Sequence, residues 1–212
     1  MTWALDHLDE ILTRAVQHAW LAGLPLVLGL LIALPLGWLA NRKAWIHGTL
    51  LTTTGLLYTI PSLALFILLP SILGTKILDP VNVIIAMTVY TVALLTRTVA
   101  DGLSAVDPAT RQAAVAMGFG PVARVRSVDL PLAIPVVAAG LRVAAVSNVS
   151  IVSVASLIGI SQLGYFLTDG YARTFPTEVW VGIVACVLLA LVFDLVILGI
   201  AWLLTPWTRV RA

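Results

Sequence analysis

Charge is what this chain has least of. Only 10% of its 212 residues are Asp, Glu, Lys or Arg, against 60% hydrophobic, and the mean hydropathy is +1.06. Soluble domains carry about 25% charged residues, so a water-surrounded fold is excluded. Cysteine is nearly absent: Cys186 stands alone in an apolar run, which rules out a disulfide framework or a cysteine-based metal site. Two lysines and ten arginines give a net charge of +2 but no basic stripe, so no nucleic-acid partner is expected. No GxxxxGK[ST] segment occurs, so nucleotide hydrolysis through a P-loop would belong to another chain. His7, His18 and His47 lie in different segments, without a carboxylate or second histidine at ligand spacing. No Ser/His/Asp or Cys/His arrangement appears either, so no catalytic residue, bound metal or cofactor is expected here.

What is present is a series of uncharged runs. Residues 19–40 form 22 uncharged positions, enough to cross about 30 Å of hydrocarbon; Pro25 and Pro35 would bend this run, and Asn41-Arg42-Lys43 ends it. Residues 48–73 form a second run with Pro61 near its middle and Pro70 near its end. A third covers 81–100, a fourth falls within 131–160, and a fifth covers 179–204. These predict an all-α membrane protein of five transmembrane helices, one domain over residues 1–212. Leu5, Leu8, Leu12 and Val16 alternate with Asp6, Asp9, Thr13 and Gln17, so residues 1–18 form an amphipathic helix on the membrane surface or the first turns of the next span. Asp6, Asp9 and Glu10 stand where a signal peptide would be basic, so the first run is expected to stay in the mature protein.

Sidedness follows from the basic residues. With the Arg42-Lys43 turn in the cytoplasm, Arg97, Arg111, Arg124, Arg126, Arg209 and Arg211 join it there, while Arg14, Lys76 and Arg173 lie outside. Eight against three predicts the N-terminus out and the C-terminus in. Trp20 and Trp180 fall at outer ends, and Trp38, Trp45, Trp202 and Trp207 near inner ones, as interface anchors do. That distribution leaves no aromatic cage for a quaternary ammonium group in this chain.

Two polar groupings interrupt the spans. Ser147, Asn148, Ser150, Ser153 and Ser156 run along the fourth, either as close-packing helix contacts or as a hydrophilic wall for a small solute. Thr59 and Ser62 flank Pro61, which frees a backbone carbonyl, and are expected to face the same path. Asp194 is the only acid deep in an apolar run, where an unpaired charge costs about 2.5–3.5 kcal/mol. It lies ten residues before Leu204, and Arg142 eleven after Pro131, so both sit about 15–17 Å from the inner ends. Pairing of Arg142 with Asp194 is expected, with Arg97 the second candidate and snorkelling of Arg142 the other reading.

The longest polar interruption is DPATRQAAVAMGFGPVARVRSVDLPLAIP, residues 107–135. Asp107 is placed as an N-cap, Pro108 as the first helical residue and Gly118 as the stop of a short helix, with PVARVRSV a second one. Gln112-Ala113-Ala114, three residues, Gly118, nine residues, Val128, one residue and Leu130-Pro131 resembles the EAA loop of permease subunits of type I ABC importers. Gln112 replaces that signature's acid and Val128 its isoleucine. The resemblance implies that residues 107–131 form a cytoplasmic coupling loop docking on an ATPase subunit through Asp107, Pro108, Arg111, Gln112, Ala113, Ala114, Met117 and Gly118.

Further segments, YTIPSLALFILLPSILGTK, LPLAIPVVAAGLRVAAV, SLIGISQLGYFL and FDLVIL among them, are similar to the osmoprotectant branch of that family. The resemblance implies a bacterial, multi-pass cytoplasmic-membrane permease for glycine betaine, carnitine, choline or proline betaine. Its implied partners are ABC ATPase subunits that hold ATP and Mg, an extracytoplasmic substrate-binding protein, a second permease subunit in a homo- or heterodimer, and membrane lipid. No binding domain is expected to be fused to it. The alternatives are an importer for another small solute, such as methionine or a sulfonate, and a small membrane channel or enzyme without ATPase partners.

Overall fold

A computed structural model describes residues 2–42 and 44–211, apart from the side chains of Thr2, Ala44 and residues 209–211. Lys43 and the side chains of Arg209 and Arg211, which enter the charge count, lie outside the described residues. Among the described residues there are helices and loops but no strand. A short α1 (Thr2–Asp6) precedes α2 (Leu8–Ala40). α2 has 33 residues and reaches about 50 Å at 1.5 Å per residue. Residues 8–18 are thus the first turns of a spanning helix, not a separate surface helix. Pro25 and Pro35 sit inside α2 without ending it.

The second uncharged run departs most from expectation. It is two helices, α3 (Ala44–Tyr58) and α4 (Ser62–Leu73), bent by 97° at the break. Pro61 has no N–H and disfavours helical geometry at Ile60, which opens the chain there. The freed Ile60 carbonyl accepts the Tyr90 hydroxyl, whose ring meets Tyr58 edge-on at 5.7 Å. α4 stops at Gly74, whose φ of 69° is left-handed. The turn to α5 is stitched by Asn82, which donates to the Lys76 carbonyl at 2.8 Å and accepts from Thr75 at 2.5 Å.

α5 (Pro80–Ser104) starts with Asp79 as its cap and is the most enclosed helix. A polar segment with α6 (Pro108–Ala116) and α7 (Pro121–Arg124) follows, then a π-helical turn (Val125–Asp129) and α8 (Leu130–Ser153). The segment PVARVRSV therefore runs into α8 without a turn. A 3-10 segment (Val154–Ile158), α9 (Tyr165–Ala172) and α10 (Pro176–Leu204) complete the bundle. Among the described residues, four helices are long and apolar enough to cross a membrane, five if the bent pair counts as one.

Small residues let the backbones meet. Gly29, Ala33 and Gly37 of α2 are buried against α5. A Cβ at Gly29 would collide with the Thr91 side chain, and one at Gly37 with Val99. Gly140 of α8 meets Thr98 of α5 in the same way. Such close approach supplies the van der Waals contact that holds helices together in lipid. Asn148 seals the junction, donating to the Ala22 carbonyl at 3.2 Å and to Thr91 at 3.0 Å. α10 lies outside this frame, with only Glu178, Gly182 and Ile197 buried. Gly29→Leu should destabilise the protein in detergent by about 1–3 kcal/mol or more, whereas Gly199→Leu, where a Cβ meets nothing within 4 Å, should not. Equal losses in a thermal unfolding assay would contradict this packing.

Candidate functional site

At the end of the bundle where α2 and α5 stop, Asn41 ties them together. It donates to the Ala100 carbonyl at 2.9 Å and accepts from Ser104 at 2.8 Å. α6 projects beyond this end. Asp107 accepts from the Ala109 amide at 3.1 Å and Pro108 opens the helix, satisfying its first turn. Gly118 ends it with φ 86°. A Cβ there would meet nothing, so glycine is required by the left-handed backbone rather than by space.

The outward strip of α6 carries Gln112, Ala113, Ala116 and Met117, with Met117 69% exposed. Ala114, expected on that strip, is turned inward and is 1% exposed. Arg111 is also turned inward. A polar helix of nine residues lacks the apolar stripe from which its inner face can be read.

Arg111 reaches an acid that sequence reasoning passed over. Asp129, in the π-helical turn, is buried between Arg124 Nε at 3.2 Å from Oδ2 and Arg111 Nε at 3.5 Å from Oδ1. Arg111 also donates to the Leu103 carbonyl at the end of α5. The Nε of Arg111 and Oδ1 of Asp129 complete no hydrogen bond, so their attraction is coulombic. Trp38, Arg42, Arg111, Arg124 and Asp129 line an adjoining open cavity of about 420 Å³. The sequence offers little to single it out: Asp129 shares the polar stretch 107–135 with Arg111, Arg124, Arg126 and a second acid, Asp107.

Midway along the bundle, Arg142 donates from Nε to Asp194 Oδ1 at 2.6 Å and from Nη2 to Oδ2 at 2.8 Å. This two-point geometry is the strong form of a guanidinium–carboxylate contact. Arg97 instead lies 3.8 Å from Asp101 on its own helix. The pair opens outward into a cavity of about 360 Å³ with Val143, Val146 and Ser147. Ser150 is exposed on the following turn of α8. Asn148 points the other way and belongs to the packing described above, not to this face. Ser153 and Ser156 donate to carbonyls of their own chain at 2.6 and 2.8 Å. Thr59 donates to Leu56 at 2.7 Å, and Pro61 caps α4. α4 packs on the 3-10 segment that holds Ser156, which makes Ser62 and Ser156 members of adjoining elements.

The opposite end has its own polar anchors. His18 is fully buried, with Nε2 2.9 Å from the Val149 carbonyl and Nδ1 3.0 Å from Gln162 Oε1. The Arg14 guanidinium lies over the Tyr165 ring at 3.6 Å. Arg173 lies 2.5 Å from both Asp169 and the buried Glu178; hydrogen bonding to Glu178 holds its guanidinium above its ordinary pKa. Among the described residues, no group of three or more His, Cys, Asp or Glu is placed to hold a metal ion.

Residues 26–210 match the family model described as "Binding-protein-dependent transport system inner membrane component". The chain belongs to that family. It is therefore a multi-pass inner-membrane component. It is 31% identical over 207 residues to the osmoprotectant import permease protein OsmW of Salmonella typhimurium, covering 96% of each chain. It is 30% identical over 197 residues to the choline transport system permease protein OpuBB of Bacillus subtilis, covering 93% of this chain and 89% of that one. Its fold is that of the MetNI methionine ABC transporter in an inward-facing conformation: TM-score 0.84, 21% identity, 94% of this chain and 98% of that one. The ion pair ties α8 to α10 midway along the bundle. Asp194→Asn alone should lower the unfolding midpoint in detergent, and adding Arg142→Gln should recover it, because a lone guanidinium is costlier than two neutral groups. Equal midpoints for wild type and the single variant would contradict this tie.

Proposed function

We propose that this chain is the membrane-spanning half of an ATP-driven importer for osmoprotectants such as glycine betaine, choline, carnitine or proline betaine. It spans five times, counting α3 and α4 as one, with its N-terminus outside and its C-terminus in the cytoplasm. ATPase subunits holding ATP and Mg dock on α6, a second permease subunit closes the open face of α8, and a binding protein delivers solute from outside. The chain catalyses nothing itself. The coupling role rests on one observation: a capped helix that projects from the bundle end and is fixed to it from behind. The solute class rests on the similarity to osmoprotectant and choline permeases along nearly the whole chain.

In this reading, closure of the ATPases pushes α6, and the helices rock between inward- and outward-open arrangements around Ser147, Ser150 and the neighbouring polar positions. Asp107, Pro108 and Gly118 shape the docking helix, Gln112, Ala113 and Met117 touch the ATPase, and Ala114 and Arg111 hold the helix to the bundle. Ser153, Ser156, Thr59, Pro61 and Ser62 border the path where α4 approaches the end of α8.

Expression with its ATPase and binding protein, in cells lacking betaine uptake, tests the assignment. Labelled glycine betaine or choline should accumulate only when the ATPase is active. Accumulation of methionine alone would move the solute assignment, and uptake without the ATPase would overturn the coupling. Ala113→Arg and Met117→Asp should leave the permease inserted but reduce bound ATPase and uptake about tenfold or more, the effect of about 1.4 kcal/mol lost at the contact.

A further inference from the structure

We infer that Asp129 is a positioning residue, the joint that makes α6, the end of α5 and the foot of α8 move as one lever. This rests on the reading of α6 as the ATPase-docking helix. α6 has little else to hold it: Ala114 is its only buried side chain, and it packs on α7 and the π-helical turn. Loops flank it on both sides, at residues 105–107 and at 117–120. Apolar burial of one alanine methyl group cannot keep such a helix in register against a push.

The ionic centre supplies what packing does not. Asp129 has a side chain only 5% exposed, and arginines from two elements close on it. Arg111 comes from α6 and also takes the Leu103 carbonyl of α5. Arg124 comes from α7, immediately before the π-helical turn that leads into α8. One carboxylate therefore joins the docking helix to the base of the helix that carries Ser147 and Ser150. A neutral amide at this position would leave two guanidinium groups facing each other with no anion between them, and the lever would become two loosely linked pieces.

The test uses the assembled transporter in proteoliposomes, with its ATPase and binding protein. Spin labels are placed at exposed Ala109 on α6 and Leu132 on α8, in a Cys186→Ser background. In wild type the label distance should stay constant between nucleotide-free and nucleotide-trapped states. Asp129→Asn should broaden it. It should also lower stimulation of ATP hydrolysis by loaded binding protein about tenfold, within the usual range of coupling between sites, with basal hydrolysis and bound ATPase unchanged. Asp129→Glu should restore part of the stimulation. Should Asp129→Asn fail to insert, Arg111→Gln, whose side chain is 31% exposed, should broaden the distance and lower the stimulation in the same way. A wild-type distance that changes with nucleotide, or a variant that keeps wild-type distance and stimulation, would overturn the joint. Failure of wild type to bind any ATPase would instead sink the docking reading, and the label distances would still decide the clamp.

Discussion

Inside a bilayer, apolar side chains gain nothing by exchanging lipid for one another, so the closeness of backbones decides what holds. In this chain that closeness is concentrated where α2 crosses α5 through Gly29, Ala33 and Gly37, and where α5 meets α8 at Gly140. The three helices form a frame. α10 leans against it with most of its surface free for lipid, and the bent α3–α4 pair is pinned to it through Tyr90. Everything movable or exposed is positioned relative to that contact.

The few polar groups fall into two kinds. Some are spent inside the frame, where each finds its partner: His18 between Val149 and Gln162, and Asn148 between Ala22 and Thr91. Others gather on surfaces that lipid would not tolerate uncovered. The open side of α8, with Arg142, Asp194, Ser147 and Ser150, is one such surface. Charge at membrane depth is costly, which favours a second subunit or a wet path over lipid there.

Local chemistry was the legible part of the sequence. Asp107, Pro108 and Gly118 act within a few residues of themselves, and the structure places the cap, first turn and left-handed stop where they were expected. Depth arithmetic brought Arg142 to Asp194 because residues counted from the same end of two helices share a ruler. Where the outcome hung on a distant neighbour, the sequence was mute. Pro61 foretold a disturbance, but not the 97° break or that Tyr90, 30 positions on, takes the Ile60 carbonyl there. Asn148 looked like one more member of a serine series until the Ala22 carbonyl, 126 positions away, engaged it. Asp129 went unnoticed because both its arginines lie in the same polar stretch, where nothing marks which groups fold inward.

The central claim is that a push at α6 controls access along the face of α8. A single cysteine replacing Ser150, in a Cys186→Ser background, reports on this directly in the assembled transporter. A membrane-impermeant thiol reagent added from outside should label it when nucleotide is trapped in the ATPases and spare it when nucleotide is absent. Labelling that is the same in both states would contradict the account.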